Sequence, residues 1–308
     1  MSSRLDTSAA LRTSGLGKRY GRTWALRDCS LALPAGRIAA LVGPNGAGKT
    51  SLLSLAVGLL RPTTGSVRIL GADPMRGLEP LGRVGFVAQD TPLYPDFTAG
   101  ELVTLGRKLN AGFDERLALD RLRQLEIPTD RAVETLSGGQ RAQVALAIVL
   151  AKRPSLLLLD EPVASLDPLA RREFLQALAG SVAEEGLTVV LSSHLLADLE
   201  RLCDYLIVLS ASHVQVLGAV DDLLAEHKVL VGPRRDPSYG GVLGTIVQEH
   251  HTERQSTLLV RTSEPVSDPS WMVHDVSLEE LVLAYLGHPA AGALPGPARP
   301  IEGGEASR

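Results

Sequence analysis

Short apolar runs alternate with longer amphipathic stretches along the chain from Leu16 to about Leu224. This alternation is typical of an α/β protein, in which strands and helices follow one another. Runs that are apolar throughout and too short for a helix predict buried strands. The predicted strands are Arg37–Val42, Ser66–Leu70, Leu156–Leu159 and Thr188–Ser192. The predicted helices among them are Thr50–Leu60 and Ala142–Lys152.

The strand pattern is interrupted between about Asp90 and Leu136. Helical spacing replaces it in Ala99–Leu109 and Glu115–Leu125, and Pro128 breaks the second pattern. We therefore expect a mixed sheet core with a helical subdomain, about residues 90–136, inserted between its two halves.

The pattern changes again after about His227. Short strand patterns separated by turn residues follow at Lys228–Val231, Gly244–Gln248 and Thr257–Arg261. Ser277-Leu278-Glu279-Glu280 then forms a capping box, and the apolar residues behind it have helical spacing. This helix has one apolar face, which another part of the protein must cover.

These patterns divide the chain into four segments. Residues 1–12 are polar and residues 288–308 are rich in Pro, Gly and Ala, so we expect two disordered tails. Residues 13–227 predict the main domain, including its helical subdomain. Residues 228–287 predict a small α+β accessory domain.

Composition excludes several classes of function. The 308 residues carry 31 basic and 35 acidic side chains and a formal charge of −4, which gives no basic footprint for nucleic acid. No apolar run approaches the roughly 18 residues that a membrane-spanning helix needs. Met1–Arg12 lacks the apolar core of a signal peptide. We therefore expect a cytosolic chain, whose membrane partner would be another polypeptide.

The cysteines and a histidine pair predict no metal site. Cys29 and Cys203 have no second Cys or His at metal-ligand spacing, so we expect two small buried hydrophobic residues. Neighbours in a strand point to opposite faces, so His250-His251 are poor co-ligands and are predicted as surface histidines.

A phosphate-binding loop follows the first buried strand. Gly43-Pro44-Asn45-Gly46-Ala47-Gly48-Lys49-Thr50 fits the pattern G-x-x-x-x-G-K-[ST] between a predicted strand and a predicted helix. Glycines let the backbone approach a triphosphate, and the N–H groups of the turn and of the helix start attract anions. Lys49 is predicted to contact the outer phosphates and the Thr50 hydroxyl to bind Mg²⁺. Ser51 completes this part of the expected ATP site.

Two carboxylates end the strand Leu156–Leu159. A strand end at the carboxyl edge of an α/β sheet is where such folds bind ligands. Asp160 is predicted to orient Mg²⁺, directly or through water. Glu161 is predicted to be the general base for a water molecule that attacks the γ-phosphate.

A second glycine-rich motif, Leu136-Ser137-Gly138-Gly139-Gln140, precedes the helix pattern Ala142–Lys152. Ser137 can cap that helix, and Gly138 and Gly139 let a phosphate lie against its N–H groups. Gln140 completes the motif. Together with the phosphate loop, this motif makes Leu16–Gly218 resemble the ATP-binding subunit of an ATP-binding-cassette (ABC) transporter. The resemblance implies a P-loop NTPase fold and an active ATPase.

The resemblance also implies individual roles. Tyr20 matches the aromatic residue that stacks on adenine, and Gln89 matches the glutamine that contacts Mg²⁺ and the water. His194 matches the histidine that contacts the γ-phosphate and positions Glu161. Ser165-Leu166-Asp167 matches a loop that crosses to the opposing subunit.

The resemblance further implies two protein partners. Each chain has one phosphate loop and one Leu136–Gln140 motif, so two chains arranged head to tail would complete two sites; the partner is a second copy or a close paralogue. A separate integral membrane permease would hold the pair at the inner face of the cell membrane. Leu93, Tyr94 and Phe97 form either its docking groove or local core.

The direction of transport and the role of the accessory domain stay open. The helix behind Ser277 looks like that of drug, antibiotic or lipid exporter subunits, which favours export over import. A soluble ABC ATPase, such as an iron–sulfur assembly factor, is a further alternative. A different phosphate-loop enzyme, such as a kinase, is disfavoured by Leu136–Gln140. The accessory domain would regulate ATP hydrolysis or steady the dimer.

Overall fold

The computed structural model describes residues 9–77, 79–90, 92–164, 166–193, 199–234 and 244–287. His194, Ser165, residues 1–8 and residues 288–308, which carry parts of the predictions above, lie outside it. In chain order the strands are β1 (Ala9–Tyr20), β2 (Thr23–Pro34), β3 (Ile38–Val42), β4 (Thr64–Ile69), β5 (Val84–Val87), β6 (Leu156–Asp160), β7 (Thr188–Ser192), β8 (Tyr205–Ser210), β9 (His213–Ala219), β10 (His227–Pro233), β11 (Thr245–His251), β12 (Gln255–Arg261) and β13 (Met272–Asp275). The helices are α1 (Lys49–Ala56), α2 (Glu79–Gly82), α3 (Ala99–Leu109), α4 (Glu115–Gln124), α5 (Gly138–Ala151), α6 (Pro168–Glu185), α7 (Val220–Glu226) and α8 (Leu278–Gly287).

A six-stranded sheet with the order β5-β6-β7-β3-β8-β9 forms the centre. The neighbours from β5 to β8 are parallel, and β9 is antiparallel to β8. Every residue of β6 and β7 is buried, because both faces of the sheet are covered, and this explains their uniformly apolar sequences. The mixed sheet core is confirmed. The carboxyl ends of β3, β6 and β7 meet at one edge, which positions the candidate site.

A three-stranded antiparallel sheet, in the order β2-β1-β4, packs with α1 on one face of the central sheet. Strand β1 begins at Ala9, so the predicted tail is wrong for residues 9–12. Leu11 lies opposite Leu33 of β2 and Ile69 of β4 and is fully buried. The segment is therefore ordered by core packing, although its neighbours in sequence are polar.

The helical insertion has the two helices that its periodicity predicts. Helix α3 spans the predicted residues, and α4 ends one residue before the predicted end. Thr98 and Glu101 form a capping box that starts α3, and Asp114 caps α4. The buried faces of both helices pack against α5 in one apolar cluster.

The C-terminal part is a four-stranded sheet, β11-β12-β10-β13, with helix α8. Ser277 and Glu280 form the predicted capping box. The apolar face of α8 is covered as expected, because Leu281 and Tyr285 are buried in the same cluster as Leu206 and Val208 of the central sheet. This continuous core leaves the domain boundary near residue 227 a prediction.

Two buried contacts of His227 link α8 to α7. His227 Nδ1 lies 2.6 Å from the carbonyl oxygen of Leu223, and its Nε2 lies 2.8 Å from the hydroxyl of Tyr285.

Among the described residues, no helix combines the length and apolarity that crossing a membrane would need.

Candidate nucleotide-binding site

The loop Gly43–Thr50 joins the end of β3 to the start of α1, as its pattern predicts. The loop is turned tightly by a hydrogen bond from Ala47 N–H to the carbonyl oxygen of Pro44, 3.1 Å away. Gly46 and Gly48 have φ angles of 82° and 103°, a region that favours glycine. The two glycines therefore allow a backbone shape that side chains would strain.

Lys49 is anchored beneath this loop. Its Nζ donates to the carbonyl oxygens of Gly43 at 2.8 Å and Pro44 at 3.4 Å. It also lies 3.4 Å from Oε1 of Glu161, and the two side chains are only 6% and 11% exposed. The cation is thus pre-positioned at the loop, with one carboxylate as its charged partner.

A cavity of about 630 Å³ opens over the loop. Four separate segments of the chain meet there: β2, the phosphate loop with the start of α1, and the segments that follow β5 and β6. Its lining residues are Ala25, Gly43, Pro44, Asn45, Gly46, Gly48, Lys49, Thr50, Ser51, Gln89 and Glu161. Sequence reasoning identified all of these except Ala25, whose contribution depends on how β2 packs against the loop.

Asp160 lies beside this cavity at the end of β6 and is 1% exposed. Its Oδ1 accepts a hydrogen bond from the Ser192 hydroxyl at 2.8 Å, whereas its Oδ2 is buried without a hydrogen-bond partner. A buried carboxylate oxygen without a donor is costly, and a hard divalent cation prefers such a ligand. The residue therefore fits the Mg²⁺ predicted here.

Glu161 has an unusual backbone conformation. Its φ angle is +46°, in the left-handed region that residues other than glycine rarely adopt. Such a conformation costs about 1–3 kcal/mol and persists only where the surroundings enforce it.

Tyr20 lies at the end of β1 and is half exposed. Its hydroxyl is 3.5 Å from Oγ of Ser51 in α1, and Lys18 Nζ lies 5.3 Å from the centre of its ring. The aromatic ring is therefore held near the phosphate loop, with much of its surface free for a stacking partner.

Ser137–Gln140 lie apart from this cavity, since none of the four residues lines it. Ser137 and Gln140 form a capping box at the start of α5, with bonds of 3.2 Å and 3.1 Å. A Cβ atom on Gly139 would lie 3.2 Å from Cβ of Ala170, so α6 packs closely here. The structure thus brings together the phosphate loop, Gln89 and Glu161, but not the second glycine-rich motif.

A second, apolar cavity of about 540 Å³ lies next to the first. Leu93 lines it, together with residues of α2, β5, α5, the helical insertion and the segment that follows α1. The rings of Tyr94 and Phe97 lie 5.1 Å apart on the surface nearby, with exposures of 60% and 37%. The exposure of Tyr94 and Phe97 favours the surface interpretation for these two residues, whereas Leu93 is partly buried and packs against the apolar clusters.

The cysteines are buried and unpaired, as predicted, and burial raises the pKa of the Cys203 thiol to about 12. His250 and His251 are exposed. The described part of the chain contains no His, Cys, Asp and Glu grouping that could bind a metal without a nucleotide.

Comparisons with known proteins find similarity in sequence and in fold. Residues 26–164 match the family described as "ABC transporter". The chain is 37% identical to Nod factor export ATP-binding protein I of Cupriavidus pinatubonensis over 223 residues, which cover 70% of this chain and 68% of that protein. It is 36% identical to the sulfate/thiosulfate import ATP-binding protein CysA of Vibrio vulnificus over 224 residues, 70% of this chain and 65% of that protein.

A solved structure also has a similar fold. The chain is similar to cbiO1 from Clostridium perfringens, which is part of the ABC transporter complex cbiONQ. The TM-score is 0.61 at 28% identity, and the match covers 71% of this chain and 92% of that one.

Proposed function

The chain belongs to the family of ABC transporter ATP-binding proteins and is an ATPase, and we propose that it drives export through a separate membrane subunit. The observation that carries this proposal is the cavity in which the phosphate loop, Gln89 and Glu161 meet, with Asp160 beside it.

ATP binding follows from the charges and donors of the cavity. The phosphate-loop N–H groups and the start of α1 attract the phosphates, and Tyr20 offers a ring for the adenine. A γ-phosphate oxygen replaces Glu161 as the anionic partner of Lys49. Glu161 is then released to accept a proton from the attacking water. The role of His194, which the described residues do not include, rests on the resemblance alone.

Thr50, Gln89 and Asp160 are the residues proposed to hold Mg²⁺ with the nucleotide. When bound, the ion neutralises phosphate charge as the γ-phosphoryl group is transferred to water. The buried Oδ2 of Asp160 supports this assignment, because the nucleotide-bound ion would give that oxygen a partner.

A second chain is proposed to complete each site. Ser137–Gln140 do not line the cavity of their own chain, although the start of α5 is suited to a phosphate. A head-to-tail pair would place this motif over the γ-phosphate of the other copy. A close paralogue in place of the second copy would satisfy the same geometry.

The membrane partner is proposed to dock at the apolar cavity and at the exposed rings of Tyr94 and Phe97, which together form the docking groove. Ala88 lines that cavity, whereas the next residue, Gln89, lines the nucleotide cavity. A shift of Gln89 towards the nucleotide would therefore move the wall of the docking groove directly. In this proposal the chain lies on the cytoplasmic face of the membrane, beside a permease that carries the cargo.

Export is favoured by the α8 helix behind its capping box, which looks like that of exporter subunits. Import is the second candidate, because the relatives include a protein named for sulfate/thiosulfate import. Cargo movement in vesicles with the membrane partner distinguishes the two: ATP outside the vesicles should drive accumulation inside for an exporter.

The ATPase site is tested by phosphate release from the purified chain with ATP and Mg²⁺. Lys49→Ala should abolish ATP binding, because no other cation is anchored at the loop among the described residues lining the cavity. Lys228→Ala is the matched control, since this lysine pairs with Asp275 on the C-terminal sheet. Unchanged ATP affinity in Lys49→Ala would reject the site.

A further inference from the structure

The hydroxyl of Ser192 connects the two acidic residues at the end of β6. Besides its bond to Asp160, its Oγ lies 2.7 Å from the backbone nitrogen of Glu161. An N–H group can only donate, so the hydroxyl accepts from Glu161 and its single proton goes to Asp160. The direction of both hydrogen bonds is therefore determined.

The sheet register explains why this residue can make both bonds. Ser192 lies opposite Asp160 of β6 on one side and opposite Leu41 of β3 on the other. Strand β3 leads directly into the phosphate loop. Ser192 thus lies between the strand that carries the carboxylates and the strand that carries the loop.

The two bonds restrict motions that would otherwise be easy. The terminal torsion of an aspartate has a broad energy minimum, so an unanchored carboxylate can rotate. With Oδ1 of Asp160 held by Ser192, the buried Oδ2 is left for the cation. The second bond holds the N–H of Glu161, the residue whose φ angle of +46° needs support. Ser192 is completely buried, so water is poorly placed to substitute for its hydroxyl.

We infer that Ser192 is a positioning residue that orients Asp160 towards the nucleotide-bound cation and fixes the backbone of Glu161. This inference rests on the proposed ATPase site. Ser192 acts through these two residues and does not itself line the nucleotide cavity. Its loss should therefore weaken metal binding and slow the chemical step more than it weakens ATP binding.

The experiment compares Ser192→Ala with the full-length parent chain. Mn²⁺ is titrated into the complex with a non-hydrolysable ATP analogue and read by electron paramagnetic resonance. Removal of a residue that orients a metal ligand costs about 10- to 100-fold in metal affinity, and we expect a loss in that range. Binding of the analogue in EDTA should be unchanged, since the phosphate loop is untouched. In hydrolysis, kcat should fall while the KM for ATP changes little.

Two further variants separate positioning from folding. Ser192→Thr keeps the hydroxyl and should retain Mn²⁺ affinity. Thr188→Val removes a buried hydroxyl from the other end of β7, where it accepts from Gly36 N–H at 2.9 Å, and should leave Mn²⁺ affinity unchanged.

Several results would overturn the inference. One is a Ser192→Ala variant whose Mn²⁺ affinity and kcat equal those of the parent. Another is a loss of Mn²⁺ affinity in Thr188→Val or in Ser192→Thr as large as the loss in Ser192→Ala. A third is loss of analogue binding by Ser192→Ala in EDTA. A parent chain that neither binds nor hydrolyses ATP would instead reject the proposed function. The two failures are therefore distinguishable.

Discussion

A single methyl group at Gly48 should damage both the stability of the protein and its affinity for ATP. Gly48 immediately precedes α1 with a φ angle of 103°. A Cβ atom there would overlap the carbonyl oxygen of Ala25 and lie 2.6 Å from Cδ2 of Leu26. The obstacle is partly backbone, so a side-chain rotation cannot remove it.

The cost has two parts. A residue other than glycine at this φ angle costs about 1–3 kcal/mol. Insertion of an extra carbon into packed surroundings adds about 1–3 kcal/mol. The sum for Gly48→Ala is therefore about 2–6 kcal/mol of unfolding free energy. Relief by movement of the loop would displace the N–H groups that face the phosphates, so ATP affinity should fall as well.

Gly36→Ala is the matched control. Gly36 has a φ angle of 76°, but a Cβ atom there would meet nothing within 4 Å. Gly36→Ala should lose only the backbone part of the unfolding free energy, about 1–3 kcal/mol, and keep its affinity for ATP. Urea unfolding gives the free energies, and a fluorescent ATP analogue gives the affinities. Equal destabilisation of both variants, with normal ATP binding in Gly48→Ala, would refute the reasoning.

Two other predictions concern the C-terminal helix and the docking groove. Burial lowers the pKa of His227, so the unfolded chain binds the proton more readily than the folded chain. The free energy of unfolding should therefore fall as pH drops below about 6.5. In urea unfolding, the stability of His227→Gln should depend less on pH than that of the parent. A pH dependence equal to that of the parent would contradict this. Tyr94→Glu should leave the basal ATPase activity unchanged but abolish its stimulation by the membrane partner. Leu283→Glu, at an exposed position of α8, should keep that stimulation. Equal stimulation of both variants would count against the docking groove.

Much of the fold could be predicted from local sequence patterns. The four leucines of β6 predict a buried strand because a parallel strand is covered on both faces. The spacing of apolar residues in α3 and the capping box at Ser277 are equally local signals. The phosphate loop is predictable for the same reason, since one short segment supplies most of its groups.

The features that sequence reasoning missed depend on contacts between distant segments. Strand β1 pairs with β2 through several register shifts, which break the alternation that marks a strand. Its first residues therefore looked like a polar tail. The role of Ser192 depends on its position opposite Asp160 in the sheet, and Ala25 reaches the cavity only through packing. A serine at the end of an apolar strand was the available signal for Ser192.

The most direct test of the shared site is the molecular mass of Glu161→Gln in solution with ATP and Mg²⁺. Without its general base the variant should bind ATP and hydrolyse it very slowly, so closed pairs should accumulate. With ATP and Mg²⁺, light scattering should then give twice the 32.7 kDa mass of one chain. Without nucleotide it should give the mass of a single chain. A monomer in saturating ATP and Mg²⁺, or turnover at the parent rate, would contradict the account.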